Sequence, residues 1–354
     1  MKATASPRVA YTPQLPGRRP APAAMRWLEL SPGFACNCRC IGCYSCSAEA
    51  RNQMDTAEVM RWLQHGRRQG ARHLWRSGGE PTLRRDFLQT LRAARHLGYE
   101  RIKVQTNGML FAYPGFADRA LLAGMNEVNL LLKSLDAKVH DALNRTPGSH
   151  ALLNKGLDTL QQADGKDAMP GRRPVRIEGD VLMTTRNVHE LPQLVRHYAG
   201  RGVKHFNFWL FSLVDQGDVD LRRLVPSLRD AMPRMVEAMA IARSLGATVC
   251  SLNTPHCTVP PSAWEMLFDA AGMQLLVVNP GGHAFALETS TIEHGVYIES
   301  CATCAVRPHC HGMRSDYLDV HGSDELKPLT AAEVAGYDPH GSILDIAPVA
   351  AFAT

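Results

Sequence analysis

No stretch of the 354-residue chain approaches the run of about 18 apolar residues that a membrane-spanning helix needs. Its opening, MKATASPRVAYTPQLPGRRPAPAAMR, carries basic residues but no apolar core, so it does not read as a secretory signal. Neither a phosphate-binding Walker loop nor a dinucleotide fingerprint is present. The charge balance is also thin. The net charge is +5, from 39 basic and 34 acidic residues. Residues 1–26 hold Lys2, Arg8, Arg18, Arg19 and Arg26 and no acid; without those five, 34 basic residues face 34 acids. The body is neutral, and the total charge gives no argument for a nucleic-acid partner. These absences point to a cytoplasmic protein, where thiols stay reduced. Residues 1–25, rich in Pro, Ala and Arg, read as a disordered basic tail.

From residue 26 to about 212, extended and helical patterns alternate. RWLEL, RHLWRS, RIKVQTNG, EVNLLLKSL, VRIEGDVLM and HFNFWLFSL read as strands, with helical stretches between them. EVNLLLKSL is apolar throughout, as expected for a strand covered on both faces. About six such units predict an α/β protein with a parallel sheet or partial (β/α)6 barrel, TIM-like in plan. Residues 26–248 form this core. One further helix, SLRDAMPRMVEAMAIARSLG, precedes a small irregular region over 249–330, in which MQLLVV and GVYIES are expected to pair as a hairpin. Residues 331–354 read as a tail.

What the chain does have is cysteine, placed unevenly. Five of its ten lie in GFACNCRCIGCYSCSAEA: Cys36, Cys38, Cys40, Cys43 and Cys46. Five thiols so close cannot pair comfortably with one another, so metal or cluster ligation leads. Cys36, Cys40 and Cys43 have the spacing Cys-x3-Cys-x2-Cys. Three thiolates on one short loop suit a cubane iron–sulfur cluster and leave one iron free to chelate an amine and a carboxylate. A structural zinc site is the alternative. Cys38 and Cys46 read as small packed residues or free thiols, or else as an alternative ligand or redox partner.

The loop resembles the signature of the radical S-adenosylmethionine (SAM) superfamily, and the resemblance continues downstream. SGGEPTL follows the second strand, QTNG ends the third, KSLD ends the fourth and TTRNVHEL follows the fifth. The resemblance implies a [4Fe-4S] cluster on Cys36, Cys40 and Cys43. It implies SAM contacts from Gly78, Gly79 and Glu80 to the methionine amine, and from Tyr44, Thr106, Ser134 and Asn187. Glycines allow close backbone approach, and a carboxylate complements an ammonium. In the family an aromatic residue usually precedes the third cysteine; here Gly42 stands there and Tyr44 follows, so the loop backbone is expected to sit differently beside the adenine. The implied chemistry is one-electron reduction of SAM to methionine and a 5′-deoxyadenosyl radical, which takes a hydrogen atom from a substrate. A reductase such as flavodoxin or ferredoxin would supply the electron. Asp136, Glu178 and Asp180, near strand ends, are candidate proton-transfer groups.

A second group, Cys301, Cys304 and Cys310, has the spacing Cys-x2-Cys-x5-Cys. Cys257 could add a fourth thiolate, with Cys250 competing. The group resembles the C-terminal SPASM domain or its shorter Twitch form, which implies an auxiliary [4Fe-4S] cluster. The longer pattern would continue with a cysteine where this chain has Arg314, so one auxiliary cluster is expected. His256, His309 and His311 nearby keep a zinc site open. Three functions follow: a maturase acting on a peptide or protein side chain by oxidation, crosslinking or epimerisation; an enzyme acting on a sugar, nucleotide or antibiotic precursor; or a non-catalytic zinc-binding interaction protein.

Overall fold

The computed structural model describes residues 25–43, 53–165, 174–213, 219–281, 283–290 and 295–337. Eight strands run parallel: β1 (Trp27–Leu30), β2 (His73–Arg76), β3 (Arg101–Thr106), β4 (Glu127–Leu131), β5 (Arg176–Met183), β6 (His205–Leu210), β7 (Thr248–Leu252) and β8 (Leu275–Asn279). A ninth, β9 (His283–Ala286), pairs antiparallel with β8. Their order is β7-β6-β5-β4-β3-β2-β1-β8-β9, an open sheet. The fold is therefore α/β, a partial barrel, and the first six expected strands lie where the sequence puts them.

Helices α1 (Thr56–Arg68), α2 (Phe87–His96), α3 (Phe116–Ala123), α4 (Ala137–Asn144), α5 (Ser149–Gly165), α6 (Leu191–Gly200) and α7 (Leu228–Ser244) connect the strands. Their starts are chemically marked. Asp55, Asp136 and Ser227 each accept a hydrogen bond from the first turn of the helix that follows. The apolar faces of these helices join the outward residues of the strands in one core, including Leu28, Leu74, Val104, Val128 and Phe208. Two short helices, α8 (Ser315–His321) and α9 (Ala331–Tyr337), follow in the C-terminal part.

The hairpin expected between MQLLVV and GVYIES does not form. β8 instead extends the sheet beside β1, from Trp27 opposite Leu275 to Leu30 opposite Val278, and turns back into β9. Val296 bridges to Met313. β8 pairs on both edges, which satisfies more backbone groups than a two-stranded ribbon would. β7, too, joins the sheet at residue 248, where the irregular region was expected to begin.

The inward residues divide the barrel. Trp27, Trp75, Cys250, Leu252, Leu275 and Val277 form an apolar cluster distinct from the outer core, with Trp209 and Phe285 packed against it. β3, β4 and β5 instead turn charge inward. Lys103 Nζ lies 2.6 Å from Glu178 and 2.9 Å from Glu127; Arg101 pairs with Glu127 at 2.8 Å and Arg176 with Glu178 at 2.8 Å. The Lys103 ammonium also stands 4.9 Å from the Trp75 ring centre. This ionic layer closes the barrel floor.

Candidate active site

The loop from Ser31 to Cys43 leaves the C-terminal end of β1, where open α/β sheets place their sites. The segment after β2 holds it in place. Ser77 N donates to Leu30 O at 3.2 Å, Gly79 N to Gly33 O at 3.0 Å and Glu80 N to Ala35 O at 2.9 Å. A Cβ on Gly79 would lie 2.4 Å from both the Phe34 and Ala35 carbonyl oxygens, and one on Gly78 (φ +115°) 2.5 Å from Gly33 O. The two glycines thus let the segment run against the cysteine loop itself.

Glu80 is buried, and its carboxylate ties three elements together. It accepts from Thr82 N at 3.1 Å, Thr82 Oγ1, Thr106 Oγ1 at 2.8 Å and Asn107 N at 2.8 Å. Burial pushes its pKa up, and those hydrogen bonds pull it back. Asn107, which the sequence reading passed over, donates through Nδ2 to Asn37 Oδ1 at 2.7 Å and to Cys38 Sγ at 3.6 Å. Its signal was visible: an Asn-Gly pair at a strand end marks a turn whose side chain bonds backbone.

Cys36, Cys40 and Cys43 are partly exposed, whereas Cys38 is buried against Met109, with 3.7 Å between the sulfurs. Cys38 is thus a packed thiol that still touches its neighbours: its backbone N donates to Cys36 Sγ at 3.3 Å, and its thiol meets those of Cys36 and Cys40. Tyr44 and Cys46 lie outside the described residues. At Gly42 the backbone is left-handed (φ +72°), and a Cβ would lie 2.5 Å from the Phe211 ring. The aromatic of the usual motif has no room here; Phe211, from the end of β6, fills that space.

Ser134 is buried, with its hydroxyl accepting from Asp136 N at 3.0 Å. Asn187 is fully buried. Its Nδ2 donates to Lys133 O (2.7 Å) and Leu182 O (2.9 Å), and its Oδ1 accepts from Thr184 N (2.7 Å), bracing the ends of β4 and β5. Among the proton-transfer candidates, Asp136 caps α4 and Glu178 is locked in the floor, held below the usual carboxylate range, against the cost of burial, by Lys103 and Arg176. Asp180 stands above the floor, accepting from Gln105 Nε2 at 2.7 Å and Asn207 Nδ2 at 2.8 Å, and burial pushes its pKa up.

Glu29, unnoticed in the sequence, faces the same space. Ser77 Oγ donates to it at 2.6 Å, and Ser77 lies 2.6 Å from Ser31 Oγ. Burial pushes its pKa up to about 7; the Ser77 hydrogen bond opposes the rise and Asp180 adds to it. A carboxyl with a raised folded pKa binds more protons folded than unfolded. Its contribution is full below about pH 4.5 and lost as pH rises through about 7. Glu29→Gln is expected to remove a fall in unfolding free energy of at most about 3 kcal/mol across that window, read as the wild-type-minus-variant difference in urea midpoints. Parallel pH profiles for the two proteins would refute this assignment.

The second cysteine group converges. Cys257, Cys301, Cys304 and Cys310 line one small pocket, walled by Val296, Val306, Met313 and Leu326. Leu329 N donates to Cys304 Sγ and Gly312 N to Cys310 Sγ, each at 3.4 Å. His256, His309 and His311 are not in its wall. Cys250 is fully buried in the barrel interior with Trp27 and Trp75, away from this cavity. Arg314, where a longer cysteine pattern would continue, donates to the Leu210 and Phe211 carbonyls and to Asp316, fixing this region to the end of β6. Among the described residues no three His, Cys, Asp or Glu side chains stand close enough to share one metal ion. A cubane does not require that, because its thiolates bind separate irons. The donor sets, three thiols at the first site and four at the second, fit four-iron clusters.

The Radical SAM superfamily model matches residues 30–172. A probable GTP 3',8-cyclase of Methanopyrus kandleri is 30% identical over 176 residues, which cover 49% of this chain and 53% of that protein. The GTP 3',8-cyclase of Erythrobacter litoralis is 28% identical over 252 residues, 70% of this chain and 69% of that protein. The alignment thus spans about half the length of the first of these relatives. Among solved structures, Streptococcus suis SuiB bound to precursor peptide SuiA aligns with a TM-score of 0.59 at 15% identity, covering 88% of this chain and 76% of that one.

Proposed function

For a chain that carries a radical SAM domain, we propose a hydrogen-abstracting enzyme that modifies a peptide or protein side chain. The observation that carries this reading is the stitching of Gly78, Gly79 and Glu80 onto the cysteine loop at the C-terminal ends of β1, β2 and β3. Enzymes of the superfamily use a [4Fe-4S] cluster and SAM, which together supply a 5′-deoxyadenosyl radical for hydrogen abstraction. Cys36, Cys40 and Cys43 would hold that cluster, and a reductase of the flavodoxin or ferredoxin kind would feed it. Gly78, Gly79, Glu80, Thr106, Ser134 and Asn187 would shape the SAM site, with Tyr44 beside the adenine. For Glu80, Ser134 and Asn187 the contacts described make this a positioning role.

The barrel interior would receive the substrate. Asp180 and Glu29 stand there as proton-handling groups, while the floor cations Arg101, Lys103 and Arg176 are each paired with a carboxylate. That lining favours a neutral or cationic side chain over a triphosphate. Cys257, Cys301, Cys304 and Cys310 would hold an auxiliary cluster able to accept an electron from the substrate radical, which suits a net oxidation. A small-molecule substrate is the second reading, favoured by the 30% identity to a probable GTP 3',8-cyclase. Incubating reconstituted protein with reductant, SAM and GTP decides between them. The peptide reading expects GTP to remain intact, and its turnover would sink that reading.

The ligand set has its own test. Cys257→Ala is expected to lower bound iron from about eight to about four atoms per chain, whereas Cys250→Ala leaves it unchanged. Equal iron in both variants would remove Cys257 from the site.

A further inference from the structure

The far side of the cysteine loop rests on the C-terminal end of α4. That helix stops at Arg145, held left-handed at φ 49°, and this frees its last carbonyls. Leu143 O accepts from Ile41 N at 2.9 Å and Asn144 O from Arg39 N at 3.2 Å, on either side of Cys40. The Asn144 side chain is buried. Its Oδ1 accepts from the Cys40 thiol at 3.2 Å, and its Nδ2 faces His140 Nε2 at 2.9 Å and Ser149 Oγ at 3.1 Å.

We propose that Asn144 is a positioning residue for the cluster on Cys40, turning its side-chain amide to donate N–H to the sulfur once that sulfur is a thiolate. The inference rests on the assignment of Cys40 as a ligand. A thiol donates, so here the amide oxygen faces it; an iron-bound thiolate only accepts, so the amide nitrogen must face it instead. The surroundings permit the exchange. The amide oxygen would then meet His140, whose neutral imidazole can present Nε2–H, and the Ser149 hydroxyl, which can turn to it from Asp141 because Asp141 Oδ1 keeps His150 N as a donor at 2.8 Å. Burial, helped by His150 and Lys133, keeps His140 neutral, its pKa lowered to about 3. The arrangement also answers an electrostatic problem. The end of α4 presents the negative pole of the helix to an anionic cluster, and one N–H aimed at sulfur offsets it. A hydrogen bond to a ligating sulfur raises the reduction potential and slows metal loss.

The test uses reconstituted wild type, Asn144→Leu and Asn144→Ser, each checked for wild-type circular dichroism. Two quantities are read: the midpoint potential of the cluster whose paramagnetic resonance signal changes on adding SAM, and the rate at which a chelator removes its iron. Leucine fills the space without a donor; serine is smaller but keeps one. The potential is expected to fall in the order wild type, Asn144→Ser, Asn144→Leu, with iron loss from the leucine variant faster by about tenfold or more. A leucine variant that matches wild type, or a serine variant below leucine, would overturn the proposal, the second because packing alone would then govern. Absence of any SAM-responsive signal in wild type would instead refute the ligand assignment beneath it.

Discussion

Lys103→Met is expected to destabilise the protein by about 3–5 kcal/mol, because it removes the one ammonium shared by two buried carboxylates. Lys103 and Glu178 are both fully shielded from solvent, so neither Glu127 nor Glu178 can recover its lost partner from water. Each carboxylate keeps an arginine, Arg101 for Glu127 and Arg176 for Glu178, which places the effect toward the lower end. The pH dependence follows in sign. The ammonium and the floor arginines hold Glu178 below the usual carboxylate range, so the stability it contributes is present above about pH 4.5 and lost as pH falls through its lower folded pKa. Without the ammonium that pKa rises, so the difference between variant and wild type should shrink as pH falls below about 5. Urea midpoints at neutral and acidic pH check both parts. A variant within about 0.5 kcal/mol of wild type at neutral pH would mean that the two arginines alone satisfy the layer.

Gly79→Ala is expected to abolish cluster uptake at the first site while sparing the second. The added Cβ meets two backbone oxygens, those of Phe34 and Ala35, at 2.4 Å. Neither can swing aside as a side chain would, so the loop must part from the segment after β2. That breaks the Gly79–Gly33 and Glu80–Ala35 hydrogen bonds and costs about 1–3 kcal/mol by overpacking. Bound iron should drop from about eight to about four atoms per chain, with SAM cleavage lost. Gly246→Ala is the control. Unlike Gly79, that glycine has a positive φ, +67°, but a Cβ there meets nothing within 4 Å. Strain alone should therefore lower stability in the control without changing its iron.

The sequence was most legible where a local pattern decides the outcome. Six strands of alternating β/α units, the spacing of Cys36, Cys40 and Cys43, and the glycines of SGGE all come from short windows. Partnership across long separations was not legible. LLVVN reads equally well as half of a hairpin or as a sheet strand, and only the exposed edge of β1, almost 250 residues earlier, selects the second. The site shows the same division. Gly79 and Glu80 stand out in sequence, but that they meet the cysteine loop, Thr106 and Asn107 follows from the folded geometry. Glu29 is a lone acid in an apolar strand, and its inward register beside Trp75 makes it part of the interior. Asn144 carries no signal at all, because the turn of α4 that places it against Cys40 is more than 100 residues from the loop.

The most direct measurement is iron and sulfide content with a visible spectrum, on protein reconstituted without oxygen, for wild type beside the triple Cys36→Ala, Cys40→Ala, Cys43→Ala variant. Two four-iron clusters predict about eight irons in wild type and about four in the variant, with SAM cleavage only in the former. A colourless wild type without iron, or a triple variant that keeps its full iron and still cleaves SAM, would contradict the account.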